Sequence, residues 1–116
     1  MKNTEILSIV STLNQMDYSK TNMPVKVGFT IMKNRQKMRQ VIEPFEEMRN
    51  SIFKKYANGK QALQPTDEGY AECLNEMSAL NDEETELELE KVKLSDIENV
   101  ELSAELISAL MCMIEE

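Results

Sequence analysis

A single α+β domain in which helices dominate is the fold class this sequence predicts, and three observations predict it. From Pro24 to Tyr56, apolar residues recur at Val27, Ile31, Met38, Val41, Phe45, Met48 and Ile52, the alternating three-and-four spacing of one long helix with a heptad seam. Shorter stretches with a helical stripe precede and follow it, so the long helix is central and the others pack on it. Between two of them, residues 87 to 94 change to period-two alternation, the mark of a small strand element. At 116 residues the chain has room for one modest core, and one domain spans residues 1 to 116.

Taken in order, residues 4 to 16 place Ile6, Ile9, Val10, Leu13 and Met16 on one stripe, with Asn3 or Thr4 as its cap. A polar connection, residues 17 to 22, leads to Pro24, whose missing donor suits the first turn of a helix. Val25, Val27, Phe29 and Ile31 also alternate, which would fit a strand. The three-and-four spacing continues beyond Ile31 and the alternation does not, so helix is preferred. Inside the long helix Pro44 removes one backbone hydrogen bond and crowds the carbonyl of Gln40, predicting a kink; a break into two helices at Glu43 is the alternative. Asn58-Gly59 is the stop signal.

A loop over residues 57 to 65 leads to Thr66 as an N-cap, with Asp67 and Glu68 in the first turn and Tyr70, Cys73, Leu74, Met77 and Leu80 on the buried stripe of a helix ending near Asn81. Leu87 and Leu89 then alternate with glutamates, and Val92 and Leu94 alternate in the other phase, so one extra residue falls near Glu90-Lys91, as in a bulge. A strand needs a partner for its backbone, here the Val25 to Phe29 segment or a second copy. Ser95 to Glu98 matches a capping box and predicts one short turn. Ser103 caps a last helix with Leu106, Ile107, Leu110, Met111 and Ile114 inward.

Composition excludes several chemistries. With no His, and with Cys73 and Cys112 far apart and outside any CxxC spacing, the chain alone has neither a zinc site nor a Ser-His-Asp arrangement, and the two cysteines read as buried free thiols. No metal and no cofactor is expected. Aromatics are only 5% of the chain and Trp is absent, so aliphatic residues and nine Met must fill the core. The N-terminus lacks the apolar core of a signal peptide, no run is long enough to span a membrane, and a soluble protein is expected.

The net charge of −8 conceals a division along the chain. Residues 20 to 60 carry ten Lys or Arg against three Glu, net +7, and residues 61 to 116 carry two Lys against sixteen Asp or Glu, net −14. Such halves neutralise one another or present faces of opposite sign to partners. Overall acidity argues against general affinity for nucleic acid or anionic membranes.

Three sets of candidate site residues follow. Lys33 and Lys37 share one flank of the long helix and Arg35 and Arg39 another, each pair four residues apart; either flank suits an acidic protein or a phosphorylated ligand, although no Gly-rich phosphate loop accompanies them. Glu84, Glu86 and Glu88 are the acidic alternative. Ile31, Asn34, Met38 and Phe45 form a seam between copies, because a lone amide in an apolar seam fixes register between helices; the same amide can bond within one chain.

At PVK (24 to 26), Lys33-Asn34, EPFEE (43 to 47) and Lys55-Tyr56, and at the C-terminal LSDIENVELSAELISALMCMIEE (94 to 116), the sequence resembles a family of small proteins encoded by phages and prophages of Gram-positive bacteria. The resemblance implies a phage origin, a compact helix-rich domain and a cytoplasmic location in the bacterial host cell. It carries no functional residue. Together with the missing catalytic equipment, it leads to the expectation of a non-enzymatic protein that binds and inhibits a host factor, one of the host's defences. A virion-assembly or scaffolding protein is the alternative, and sequestration of a small phosphorylated signal is a lesser form of the first.

Overall fold

Helix α2 (Val25–Ala57) sets the dimensions of the molecule in the computed structural model, which describes residues 1–115. Its 33 residues correspond to roughly 50 Å at ~1.5 Å per residue, and the molecule measures 54 × 27 × 20 Å. The fold is α+β and mostly helical. Around α2 lie α1 (Asn3–Leu13), α3 (Tyr70–Asp82) and α4 (Ala104–Leu110), and two short strands, β1 (Val92–Lys93) and β2 (Ile114–Glu115), pair in parallel.

The seam of α2 forms the floor of the core. Val27, Ile31, Asn34, Met38, Ile42 and Phe45 are buried, covered by Ile6, Val10 and Leu13 of α1, by Val92 and Ile97, and by Ala109, Leu110 and Met113. Pro44 lies inside α2 without breaking it, which settles kink against break in favour of a continuous helix. The end is where the stop signal puts it: Asn58 adopts a left-handed conformation with φ 52°, and Gly59 follows at φ 81°.

The structure corrects several local expectations. Val25 to Phe29 is helix, so β1 has no partner there; it pairs with β2 of the same chain, Val92 opposite Ile114 and Lys93 opposite Glu115. The alternating stretch before it makes no ladder. Leu87 and Leu89 are half-buried against the core, and the slip in phase falls where Asn34 bonds to the backbone of Glu90. Thr66 does not cap α3. That helix starts at Tyr70 after Gly69 (φ 86°), because the Asp67 carboxylate is occupied by the backbone N–H of Gln64 at 2.8 Å and by Lys60 at 2.9 Å. Neither Asn3 nor Thr4 caps α1: Asn3 lies inside it, and its amide donates to the carbonyl of Leu80 at 2.9 Å, tying α1 to the end of α3.

Ser95 makes no cap bond, although one turn of 3-10 helix forms at Leu94–Asp96. Ser103 does cap, its hydroxyl accepting the N–H of Leu106 at 3.1 Å. Leu110 is buried and Leu106 and Ile114 pack half-buried against the core, as the stripe predicts, with Ala109 buried beside them; Ile107 and Met111, the latter in the 3-10 turn Met111–Met113 that follows α4, are exposed. Met48 and Leu74 are exposed as well, since α2 leaves the main core beyond Phe45 and only α3 flanks it there. Both cysteines are free; Cys73 is buried, and Cys112 is half-buried with a thiol pushed up by that burial. Among the described residues no helix is long and apolar enough to cross a membrane.

Candidate functional site

The first turns of α2 are apolar on two opposite sides. Val27 and Ile31 face the core at 3% and 1% exposure, and Val25, Phe29 and Met32 stand outward at 76%, 60% and 40%. Residues two apart in sequence lie nearly opposite each other on a helix, so the alternation that resembles a strand is here a helix with an apolar seam and an apolar outer stripe. Val25, Phe29 and Met32 keep the four-then-three spacing of one face. A solvent-facing stripe of large apolar side chains on the central helix is the kind of feature that marks an interaction surface.

Cationic residues continue this stripe. Lys33 lies one turn on from Phe29, and its ammonium sits 4.6 Å from the centre of the Phe29 ring. Arg35 lies one turn on from Met32, with Arg39 one turn further. The four basic residues singled out in the sequence are therefore all near the stripe, but they do not share one fate. Lys33 forms an ion pair with Glu90 at 2.7 Å, which holds the Glu90 carboxyl below the usual carboxylate range. Lys37 donates to the carbonyl of Glu88 at 3.0 Å. Arg35 and Arg39 make no ion pair among the described residues, and Arg39 is exposed.

The acidic set is placed on the segment that these lysines hold. Glu84, Glu86 and Glu88 are exposed, alternating with half-buried Thr85, Leu87 and Leu89. That segment is anchored at one end by the pairing of Lys2 with Glu84 and at the other by Asn34, which accepts from the N–H of Glu90 and donates to its carbonyl, both at 2.9 Å. The division of charge is thus partly compensated inside the molecule, through Lys33 and Glu90.

The seam set is corrected. Ile31, Asn34, Met38 and Phe45 are at most 3% exposed within one chain, so they cannot line a contact between copies. Asn34 sets a register, as its place in the seam suggested, but the register is that of an irregular segment on α2 of its own chain. The outer stripe is not found by the sequence reading, which prefers helix here but takes Val25 and Phe29 only as part of the strand-like alternation and leaves Met32 unassigned; their four-then-three spacing is the signal that could find it.

Among the described residues no group of three or more Cys, Asp or Glu side chains is arranged to hold a metal ion. Comparison of the chain with protein-family models, with curated proteins and with solved structures finds no match. The assignment of a site therefore rests on geometry and chemistry alone.

Proposed function

We propose that this chain is a non-enzymatic, phage-encoded interaction protein that binds and inhibits a host factor, one of the host's defences, and that the outer face of α2 is what it binds with. The observation that carries the reading is the exposed stripe of Val25, Phe29 and Met32 continued by half-buried Arg35 and exposed Arg39, neither of which forms an ion pair among the described residues. Apolar anchors beside cations fit a partner whose apolar contact is edged by carboxylates, where the anchors supply affinity and the charges supply orientation and rate of encounter. The resemblance to phage proteins supports a host protein as that partner. A small phosphorylated ligand is a poorer fit, because three large apolar side chains would stay uncovered.

The test is capture from host cells with the tagged full chain, followed by calorimetry with the captured protein. Phe29→Asp combined with Arg35→Glu and Arg39→Glu is expected to weaken binding by at least about 100-fold, equivalent to 2.7 kcal/mol, and to leave the thermal melt close to that of the wild type. Lys33 and Lys37 are left unchanged because they hold residues 88 to 90. Changing Glu84, Glu86 and Glu88 to Gln should leave binding intact. Were the acidic variant to lose affinity and the α2 variant to keep it, the contact would be the acidic segment and the assignment of the face would be wrong.

A second reading, a virion-assembly protein, is favoured by the elongated shape. The radius of gyration is 17.8 Å, against about 13 Å for a compact chain of about 100 residues.

A further inference from the structure

The elongation arises at one end. The main core stops at Phe45, and beyond it α2 and α3 continue as a two-helix arm in which only Ile52, Ala57 and Cys73 are buried. Helix α1 meets the pair at the C-terminal end of α3, where Asn3 bonds to Leu80; along the arm no third helix or strand covers it among the described residues, and its remaining apolar side chains are incompletely covered. Phe53 and Met77 are half-buried, and Leu74, one turn from Met77, is 51% exposed. Between the two helices lies an open groove of about 420 Å³ lined by Glu46, Arg49, Asn50, Phe53 and Met77.

The charges of the arm indicate what covers the groove. Lys55 pairs with Glu76 and Lys60 with Asp67 inside the arm. Glu46 and Arg49 make no ion pair among the described residues, although the Arg49 guanidinium lies 5.6 Å from the centre of the Phe45 ring. An interface about a two-fold axis brings a patch against itself, so a patch of one sign repels its copy, and a patch with one charge of each sign can be self-complementary. This groove carries one carboxylate and one guanidinium a turn apart.

We propose that a second copy of this chain occupies the groove. The two arms pack antiparallel about a two-fold axis that passes between Glu46 and Arg49, level with Met48, covering Phe53, Leu74 and Met77 of both copies and setting Glu46 of each against Arg49 of the other. This surface lies on the opposite half of α2 from the proposed host-binding stripe and does not depend on that reading. Helix α3 has 13 residues, so the face is roughly 20 Å long and two helices, about 20 Å, across. That footprint of roughly 400 Å² is smaller than the ~800 Å² per partner of a standard stable interface, so association is weak and concentration-dependent.

Sedimentation equilibrium of the full chain, from low micromolar to several hundred micromolar, tests the proposal. The wild type is expected to pass from monomer to dimer and Phe53→Asp to stay monomeric. E46R and R49E should each weaken self-association by about tenfold or more, and an equimolar mixture of the two should dimerise more tightly than either alone, because one copy then carries two cations and the other two carboxylates. Thermal melts accompany each variant. If R49E proves unstable through loss of its contact with Phe45, Asn50→Cys serves instead: lining the groove within a turn of the two-fold axis, it should be joined to its copy by a short bis-maleimide, and Glu47→Cys, outside the groove lining, should not. A wild type that remains monomeric throughout, a Phe53→Asp variant that dimerises normally, or a mixture no tighter than its components would overturn the proposal.

Discussion

At the residue scale, Asn34 is the side chain on which most depends. A buried amide in an apolar floor is unfavourable unless all its polar atoms are engaged, and Asn34 meets that condition by pairing with both backbone groups of Glu90 and placing its amide nitrogen 3.3 Å from the sulfur of Met113. Asn34→Leu leaves the Glu90 N–H and carbonyl without that partner and is expected to lower stability by about 2 to 4 kcal/mol. Urea denaturation gives the magnitude, and hydrogen exchange at the Glu90 amide should accelerate beyond what the global change explains. Carboxylates held low in the folded state set the response to acid. Lys33 holds Glu90 low, and the backbone of Gln64 together with Lys60 does the same for Asp67. A carboxyl depressed in the folded state stabilises above its unfolded pKa, and that contribution disappears as pH falls through the folded value. The melting temperature should accordingly be flat toward neutrality and decline from about pH 4 downward, by a small amount because both groups are in contact with solvent. A Lys33→Met variant should show a shallower decline.

At the scale of elements, α2 shows how tertiary packing overrides a local breaker. Pro44 leaves the carbonyl of Gln40 without its helical donor, yet the helix continues because Ile42 and Phe45 on either side are buried and hold the chain in register. Since Pro44 itself is exposed, Pro44→Ala restores that bond without disturbing packing. It is expected to raise stability by about 1 to 3 kcal/mol, the helical gain being offset in part by a freer unfolded chain. A drop in melting temperature would mean that a bend at Pro44 is needed to seat both halves of α2. Gly28 has a different role on the same helix. A β-carbon there would lie 2.7 Å from the Tyr18 ring, so the small residue allows the 3-10 turn at Tyr18–Lys20 to close against α2.

At the scale of the whole molecule, stability is unevenly distributed. The half of α2 up to Phe45 is covered by α1, α4 and the segment around β1, and the half beyond it, among the described residues, by α3 and the turn at Gly69 against Tyr56. Native-state hydrogen exchange should therefore find the amides from Ile31 to Phe45 opening only with global unfolding, and those of α3 and of α2 beyond Ile52 opening at lower free energy. Uniform protection along α2 would show that the arm is stabilised by contacts outside one chain, as its pairing with a second copy would do at high concentration.

What the sequence alone determined are features whose physics is local or periodic. The existence and length of α2, its stop at Asn58-Gly59, the burial of Ile31, Met38 and Phe45 and the cap at Ser103 were all legible, because periodicity, turn chemistry and capping act over a few residues. The tertiary structure decided what those faces meet. Asn34 could satisfy its amide between copies or within one chain, and only the return of residues 88 to 90 alongside α2 selects the second. Thr66 had the chemistry of a cap but lost the role to Gly69 once Asp67 was taken by Lys60 and Gln64. The candidate site was half legible: the basic residues stand out in sequence, but which of them are neutralised depends on a glutamate more than fifty residues away. Whether a second apolar face on α2 is core or surface depends on how many elements reach it, and one helix has neighbours on only some of its sides.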